Sequence, residues 1–335
     1  MTTDATTVFS ADECWLGRWL GPTALARDGG SIRLATDADP APSTHLAGTV
    51  FPGFTDAHVH LGLIDGSALL LGGIAAVNDL GWDPDSARRW PADPALPTVR
   101  FAGAFLTAPG GYPSRRNWAP PAAVLEVRSP DAAAAAVDTQ LAAGASFIKL
   151  TLNSDAGPVL DDATLAAVVA HAHAVGTTVT AHTQGVGQAE RAFAAGVDRL
   201  AHAPWSERLG DHLLTAMAGT QQWVSTLDIH GWGNYGADFA TAQDNLRRFH
   251  ALGGTVLYGT DLGNGALPVG INIRELRALQ GAGLDDDDLV RSIAGDGAAG
   301  FGQRISFIPG ERSADVPAWL ARASVLGADD LPIHR

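Results

Sequence analysis

The chain has 335 residues, of which 46% are hydrophobic and 17% charged, and its formal net charge at pH 7 is −14. This composition is typical of a globular protein with a large core, and the length suits one α/β barrel or two smaller domains. An acidic chain without an Arg-rich patch is poorly suited to binding nucleic acid or an anionic membrane. We therefore expect neither as a partner.

Cysteine content and the N-terminal sequence bear on the cellular compartment. Cys14 is the only cysteine, which excludes an internal disulfide framework and fits a reducing environment. The N-terminal segment shows no basic stretch followed by an apolar one, and no run of about 18 apolar residues indicates a membrane span. We expect a cytoplasmic protein that acts on a small molecule, and the sequence leaves a homo-oligomer open.

After about residue 50, short apolar runs alternate with Ala-rich helical patterns. The predicted strands are Val50–Val59, Ile74–Leu80, Val99–Ala104, Phe147–Leu152, Thr178–His182, Arg199–His202, Gln222–Leu227 and Val256–Asp261. The predicted helices between them are Asp131–Ala143, Asp161–Val175, Gln188–Ala195 and Ala240–Leu252. Eight strands alternating with helices predict an α/β fold with a parallel sheet, and at this length a (β/α)8 TIM barrel. An open doubly wound sheet is the alternative, but no strand is followed by G-x-G-x-x-G.

The two ends of the chain differ from this middle region. Residues 15–48 and 304–323 are short alternations of polar and apolar residues with Gly and Pro turns, typical of small strands. We predict that residues 1–50 and 304–335 form a small β-sandwich beside a barrel of residues 51–303.

Two H-x-H tripeptides occur, and periodicity gives them opposite interpretations. His58 and His60 end the first predicted barrel strand, where residues i and i+2 share a face and can point at one ion. His171 and His173 lie in a helical pattern, where two such residues diverge by about 200° around the axis. Only the first pair is predicted to chelate.

Lys149 is the only lysine, whereas the other 21 basic residues are arginines. It lies in an apolar run that predicts a buried strand. An amine, unlike a guanidinium, can lose its proton near neutral pH and react. The structural alternative is a lysine whose stem is buried while its amine reaches solvent.

Three more candidate ligands, His182, His202 and Asp261, come at predicted strand ends. The carboxyl ends of barrel strands converge on one opening, where active sites form. Each residue alone could be structural, but together with Lys149 and the first histidine pair they predict a metal centre. Imidazole and carboxylate suit zinc or a similar ion.

These residues stand in short motifs that resemble the amidohydrolase superfamily in its binuclear form with a carboxylated lysine. The imidazolonepropionase-like and prolidase-like members are the most similar. The motifs, in order along most of the chain, are Pro52-Gly53-Phe54-Thr55-Asp56-Ala57-His58-Val59-His60, Phe147-Ile148-Lys149-Leu150, Thr180-Ala181-His182, Leu200-Ala201-His202 and Gly259-Thr260-Asp261.

The resemblance implies two divalent metal ions, for which zinc is the first choice. The implied ligands are His58, His60 and Asp261 for the more buried ion, and His182 and His202 for the second. Carboxylated Lys149 would bridge the two ions, and a hydroxide shared between them would be the nucleophile. Asp261 would also act as the catalytic base, taking the proton of the attacking water and passing it to the leaving group.

The sequence therefore predicts a metal-dependent hydrolase that cleaves an amide, cyclic amide or related C–N bond. A lactone or phosphoester hydrolase on the same metal centre, or a non-catalytic binding protein of this fold, are the alternatives. Predicted substrate contacts follow strands three, seven and eight: Tyr112, Arg115, His230 and Asn264. Gly110-Gly111-Tyr112 stands where members of the superfamily often have a histidine. The sequence therefore predicts the substrate less firmly than the metal centre.

Overall fold

A computed structural model describes residues 6–327 and residue 330, and within them it contains sixteen strands and ten α-helices. Residues 1–5, 328–329 and 331–335 of the predicted sandwich lie outside the described residues. The strands are β1 Thr7–Cys14, β2 Thr23–Asp28, β3 Ser31–Leu34, β4 Thr44–Pro52, β5 Thr55–Val59, β6 Ala76–Asp79, β7 Thr98–Phe101, β8 Phe105–Thr107, β9 Val124–Glu126, β10 Ile148–Asn153, β11 Val179–Gln184, β12 Arg199–Leu200, β13 Gln222–Val224, β14 Thr255–Leu257, β15 Arg304–Pro309 and β16 Ser324–Gly327. The helices are α1 Ala68–Leu71, α2 Pro84–Ala87, α3 Pro130–Ala142, α4 Asp162–Ala174, α5 Gln188–Ala194, α6 Asp211–Ala218, α7 Ala237–Ala251, α8 Ile273–Gly281, α9 Asp286–Ala294 and α10 Val316–Leu320.

The two ends of the chain meet in one six-stranded sheet with the order β16-β15-β4-β1-β2-β3. Its strand pairs are antiparallel except for the parallel pair β1–β4. Alternate residues such as Phe9, Leu25, Val50 and Ile305 are fully buried in a core that belongs to this sheet. Cys14 lies in the same core, where burial raises the pKa of its thiol to about 12, so the cysteine is structural.

The middle of the chain forms two parallel sheets. Seven strands have the order β14-β13-β12-β11-β10-β8-β9, and three have the order β5-β6-β7. The sheets follow one another along the chain at β7 and β8. They also meet at the other side, because Ala57 N donates to Tyr258 O and Asp261 N donates to His58 O. These bonds place β5 beside the segment after β14, so the histidines of β5 lie next to Asp261.

Helices between the strands cover the outer faces of the sheets. The four predicted helices correspond to α3, α4, α5 and α7, and each begins and ends within three residues of its prediction. Trp223 of β13 stacks on Phe249 of α7 with ring centroids 4.0 Å apart, and both side chains are fully buried. Burying one such side chain stabilises the fold by roughly 1.5–3 kcal/mol. In the part of the chain that the structure describes, no helix combines the length and apolarity needed to cross a bilayer.

Several predicted strand boundaries are wrong. The single strand Val50–Val59 is two strands, β4 and β5, which belong to different sheets. The regular strand ends at Pro52-Gly53. Proline has no backbone N–H to donate to a neighbouring strand, and a Cβ on the glycine would lie 2.7 Å from Ala75 Cβ. The predicted strand Val99–Ala104 likewise ends as β7 at Phe101, and β8 begins only at Phe105.

Candidate metal centre

Polar side chains from most of the parallel strands line one cavity of about 270 Å³ at the carboxyl ends of those strands. Its lining residues are His58, His60, Phe105, Tyr112, Trp118, Lys149, Thr151, His182, Gln184, His202, Trp205, Ile229, His230, Trp232, Asp261 and Asn264. All six predicted metal ligands are therefore brought together. Their positions differ in detail from the prediction, because His182 lies within β11 and Asp261 comes four residues after β14.

Backbone carbonyls orient the two histidines of the first strand. His58 Nδ1 lies 2.9 Å from Ala201 O, and His60 Nδ1 lies 3.1 Å from Gly81 O. A carbonyl can only accept a hydrogen bond, so each Nδ1 carries the ring proton and donates it. The lone pair of each Nε2 is then free to bind an ion, which is the usual arrangement of metal-binding histidines.

Three donor atoms converge at this point. Asp261 Oδ1 lies 3.0 Å from His58 Nε2 and 3.2 Å from His60 Nε2, and the two Nε2 atoms are 3.3 Å apart. The other oxygen of Asp261 accepts a hydrogen bond of 2.9 Å from Asn264 Nδ2. Lone pairs this close repel one another unless a proton or a cation lies between them.

The electrostatics of these residues fit a cation. Burial lowers the pKa of His58 to about 4, so its ring is neutral. Burial opposes charge at His60 too, but its hydrogen bond and its attraction to Asp261 raise its pKa, which favours a proton on Nε2 that a bound ion would displace. Although burial also opposes ionisation of Asp261, the neighbouring histidines hold the pKa of its carboxyl well below its usual range. An ionised carboxylate and two Nε2 donors are a donor set that suits zinc.

Lys149 lies in β10 and faces the same cavity, with its side chain 1% exposed. Its Nζ is buried and has no hydrogen-bond partner among the described residues. Burial lowers the pKa of this amine to about 7, partly opposed by the charges of Asp261 and Asp79. The amine is thus substantially neutral near pH 7 and can act as a nucleophile, and it does not reach solvent as the structural alternative required.

His182 and His202 form a second pair beside the first three donors. The ring of His202 lies 4.7 Å from that of His58 and 4.9 Å from that of His182, measured between centroids. Burial lowers the pKa of His182 to about 3 and that of His202 well below its usual value, so both rings are neutral. Among the described residues, only His58, His60 and Asp261 form a cluster of three His, Cys, Asp or Glu donors. An ion at the second pair therefore needs a further ligand from another residue type.

Buried carboxylates that the sequence analysis did not single out support the site. Asp56 accepts hydrogen bonds from His58 N, Thr260 N and Thr260 Oγ1, at 3.0, 3.0 and 2.6 Å, and so joins β5 to the segment that ends at Asp261. Asp79 accepts from the backbone N–H groups of Leu61 and Gly81. The sequence could have predicted a role for Asp56, because it lies two residues before His58 on the same strand and therefore on the same face.

The segment after β13 is held by a third buried acidic side chain. Glu275 is fully buried, and its two oxygens accept from Leu227 N at 2.9 Å and Asp228 N at 2.7 Å. These bonds fix the turn that leads to His230, which lies in the cavity lining.

Replacing Glu275 with glutamine should destabilise the fold by about 1–3 kcal/mol. The amide can accept only one of the two bonds, and its NH2 group would face a buried N–H. Urea unfolding measures the loss. Glu311→Gln, the same change at an exposed side chain, is the control and should leave the midpoint unchanged. Equal midpoints for the two variants would contradict the role of Glu275.

Three of the four predicted substrate contacts line the cavity, and the fourth does not. Tyr112, His230 and Asn264 line the cavity, and Tyr112 stacks on His182 with ring centroids 5.3 Å apart. Arg115 is exposed and lies outside the lining. Arg116 lies with its Cζ 5.7 Å from the centroid of the Tyr112 ring.

The second H-x-H tripeptide lies in α4, as predicted, and its histidines take separate partners. His171 Nε2 lies 2.8 Å from Asp138 Oδ1, and His173 Nε2 lies 2.9 Å from Asp198 Oδ2. The two rings do not share a site.

Comparison with solved structures identifies the class of fold. The protein is similar to a Xaa-Pro dipeptidase with bound methionine (TM-score 0.77, 19% identity, 97% of this chain and 98% of that one). It is similar to the A. niger ochratoxinase (TM-score 0.79, 17% identity, 97% and 94% covered). It is also similar to a prolidase complexed with N-methylphosphonate-L-proline (TM-score 0.75, 20% identity, 97% and 98% covered).

The chain thus has the α/β fold of solved prolidase, ochratoxinase and amidohydrolase structures, and the resemblance drawn from its motifs is confirmed at the level of the fold. No family model and no curated protein matches the sequence.

Proposed function

We propose that this protein is a metal-dependent hydrolase that cleaves an amide, cyclic amide or related C–N bond of a small molecule. The observation that carries the proposal is the convergence of His58, His60 and Asp261 in a buried cluster, with Lys149 and a second histidine pair on the same cavity. The similar solved structures add support, because they include a dipeptidase, a prolidase and an ochratoxinase.

The proposed architecture has a (β/α)8 barrel over residues 51–303 and a small β-sandwich made by residues 1–50 and 304–335. The order of the parallel strands and the bonds between β5 and the segment after β14 support the barrel. The six-stranded sheet built from both ends of the chain supports the second unit. We further propose a cytoplasmic location, on the ground that a lone buried cysteine fits a reducing compartment.

The residues present fit two divalent ions, with zinc as the first choice. His58, His60 and Asp261 would hold one ion, and His182 and His202 would hold the other. Carboxylated Lys149 would supply the further ligand that the second pair needs. When bound, the ions would lower the pKa of a coordinated water and polarise the scissile carbonyl.

The side chains of the protein then have separate tasks. Asp261 would accept the proton of the attacking water, and Asn264 Nδ2 donates to its Oδ2 and so restricts rotation of the carboxylate. The carbonyls of Ala201 and Gly81 keep the first two histidines in the tautomer that leaves Nε2 free. Aromatic side chains around the cavity exclude bulk water, which strengthens the electrostatic interactions inside.

Removal and restoration of metal tests the proposal. Dialysis against a chelator should remove up to two ions per chain and lower hydrolysis of a panel of amides and lactams in proportion. Addition of zinc with bicarbonate should restore both the metal count and the rate. A chain that binds no metal, or that hydrolyses amides equally well without it, would refute the proposal.

The same panel with lactones and phosphotriesters added discriminates between bond types. We expect the highest kcat/KM for a C–N bond. A metal-loaded protein active only on a lactone or phosphotriester would keep the metal centre and overturn the assigned bond.

A further inference from the structure

The wall of the cavity lacks charge once the proposed metal ligands are set aside. The remaining lining residues are aromatic, aliphatic or neutral polar: Phe105, Tyr112, Trp118, Thr151, Gln184, Trp205, Ile229, His230, Trp232 and Asn264. None of them is an arginine, lysine, aspartate or glutamate. Outside the proposed metal centre, a charged end of a substrate would therefore meet no side chain of opposite charge in the lining.

The cations near the opening are placed elsewhere. Arg115 is exposed outside the lining, and Arg116 lies against the ring of Tyr112. Arg274 binds the carboxylate of Asp228, with Nη2 to Oδ2 at 2.8 Å, and also donates to Ala266 O. A substrate carboxylate held in this cavity away from the metal ions would lose hydration without gaining a cationic side chain as a partner, which is unfavourable.

Aromatic rings form one wall of the cavity. The Trp118 ring lies 5.9 Å from Phe105 and 6.1 Å from Tyr112, measured between centroids. These rings present flat apolar surface next to the donor atoms of His60 and Asp261, since Trp118 also lies 6.0 Å from the His60 ring. A flat or aromatic substrate group fits such a wall.

The facing wall is held by contacts between two loops. Trp232 donates from Nε1 to Asn264 O at 3.1 Å, and its indole lies so close to Gly265 that a Cβ there would come within 2.3 Å of it. Trp205 lies 4.9 Å from the His230 ring. The second wall is thus also aromatic, and its position is fixed by packing.

One polar atom on a residue of this wall lacks a hydrogen-bond partner among the described residues. His230 Nε2 is buried and has no hydrogen-bond partner among the described residues. Burial lowers the pKa of this ring to about 4, so it is neutral near pH 7. A neutral imidazole makes one hydrogen bond to a neutral polar group but gives little help to a carboxylate.

We propose that the substrate is uncharged next to its scissile C–N bond and carries an aromatic or other flat apolar group beside that bond. The inference rests on the proposed function and names its substrate class. It separates this protein from the prolidase that was solved with N-methylphosphonate-L-proline, whose ligand carries a carboxylate.

Two matched compounds test the role of charge. N-Benzoylproline and N-benzoylpyrrolidine share the same tertiary amide and differ only in the carboxylate. We expect the metal-loaded protein to hydrolyse benzoylpyrrolidine with a kcat/KM at least about tenfold higher. An equal or higher value for benzoylproline would overturn the inference and leave the hydrolase proposal intact.

The acetyl counterparts test the aromatic group in the same way, and binding gives a second measurement. Acetylpyrrolidine should be the poorer substrate, again by about tenfold. Quenching of tryptophan fluorescence reports affinity without turnover, because Trp118, Trp205 and Trp232 line the cavity. If none of these amides is cleaved, the proposed function fails for this class. Tighter binding of the neutral benzoyl compound still supports the inference, and tighter binding of the acid refutes it.

An added charge should shift the preference. Leu63 is 38% exposed and lines an adjoining pocket that shares Tyr112, Trp118 and Asn264 with the cavity, so Leu63→Arg supplies a nearby cation with little risk to the core. We expect the ratio of kcat/KM or affinity for benzoylproline over benzoylpyrrolidine to rise about tenfold. Leu71→Arg adds the same charge at a side chain that is 90% exposed and outside the cavity, and should leave the ratio unchanged. An unchanged ratio in a folded Leu63→Arg variant would count against the inference.

Discussion

Replacing Lys149 with arginine is expected to abolish metal binding at the second pair and to lower kcat/KM on the order of a thousandfold or more. Across the residues that the structure describes, the buried amine has no hydrogen-bond partner, whereas a guanidinium stays protonated and does not form a carbamate. Metal analysis, intact mass and steady-state kinetics on the zinc- and bicarbonate-loaded protein measure the effect. Circular dichroism checks that the variant is folded.

The chain has only one lysine, so the same substitution cannot be made at a control site. The control is therefore a second substitution at position 149. Lys149→Met keeps the length of the side chain and removes its charge. In metal-free protein this variant should be more stable than the parent by about 1–3 kcal/mol, because a buried amine without a partner is unfavourable. It should nevertheless be inactive. Full activity and two bound ions in either variant would show that Lys149 does not bridge.

Replacing Asp261 with asparagine should lower kcat on the order of a thousandfold while the fold is kept. Asp261 has φ of 56°, a left-handed conformation that asparagine adopts readily. The amide removes the negative charge that two histidines face and cannot accept a proton at that position. Metal content, kcat and KM are measured together, and we expect fewer bound ions as well as the lower rate.

Asp37→Asn is the matched control for Asp261. Asp37 is exposed and lies in the loop after β3, far along the chain from the cavity residues. Its replacement removes the same charge and should change neither metal content nor rate. A variant at Asp261 that behaves like this control would exclude the carboxylate from both metal binding and proton transfer.

The sequence could predict the ligand candidates because local periodicity constrains side-chain direction. The two H-x-H tripeptides could be distinguished because one lies in a strand pattern and the other in a helical pattern. The structure agrees, since the first pair lines the cavity and the second lies in α4. Lys149 stood out because it is the only lysine in an arginine-rich chain. Its burial and its lack of a partner gave that pattern a physical meaning.

The strand boundaries could not be predicted because they depend on pairing between distant segments. Val50–Val59 reads as one apolar run, yet β15 pairs with its first part and β6 with its last. Asp261 is likewise placed by a backbone bond to His58 O rather than by the end of a strand. Arg115 and Arg116 are adjacent in sequence, and only the structure shows that neither belongs to the cavity lining: Arg115 is exposed, and Arg116 packs against Tyr112.

The sequence by itself determined the alternation of strands and helices, the chelating spacing of one histidine pair and the presence of a single lysine in an apolar run. These properties depend on residue type and on spacings of two to four residues, which the chain carries in any fold. Tertiary structure alone decided which lone pairs face one another, which buried carboxylates hold the loops and how little charge the cavity wall contains. Those properties depend on contacts between residues up to about two hundred positions apart, such as Asp56 with Thr260, and no local pattern encodes them.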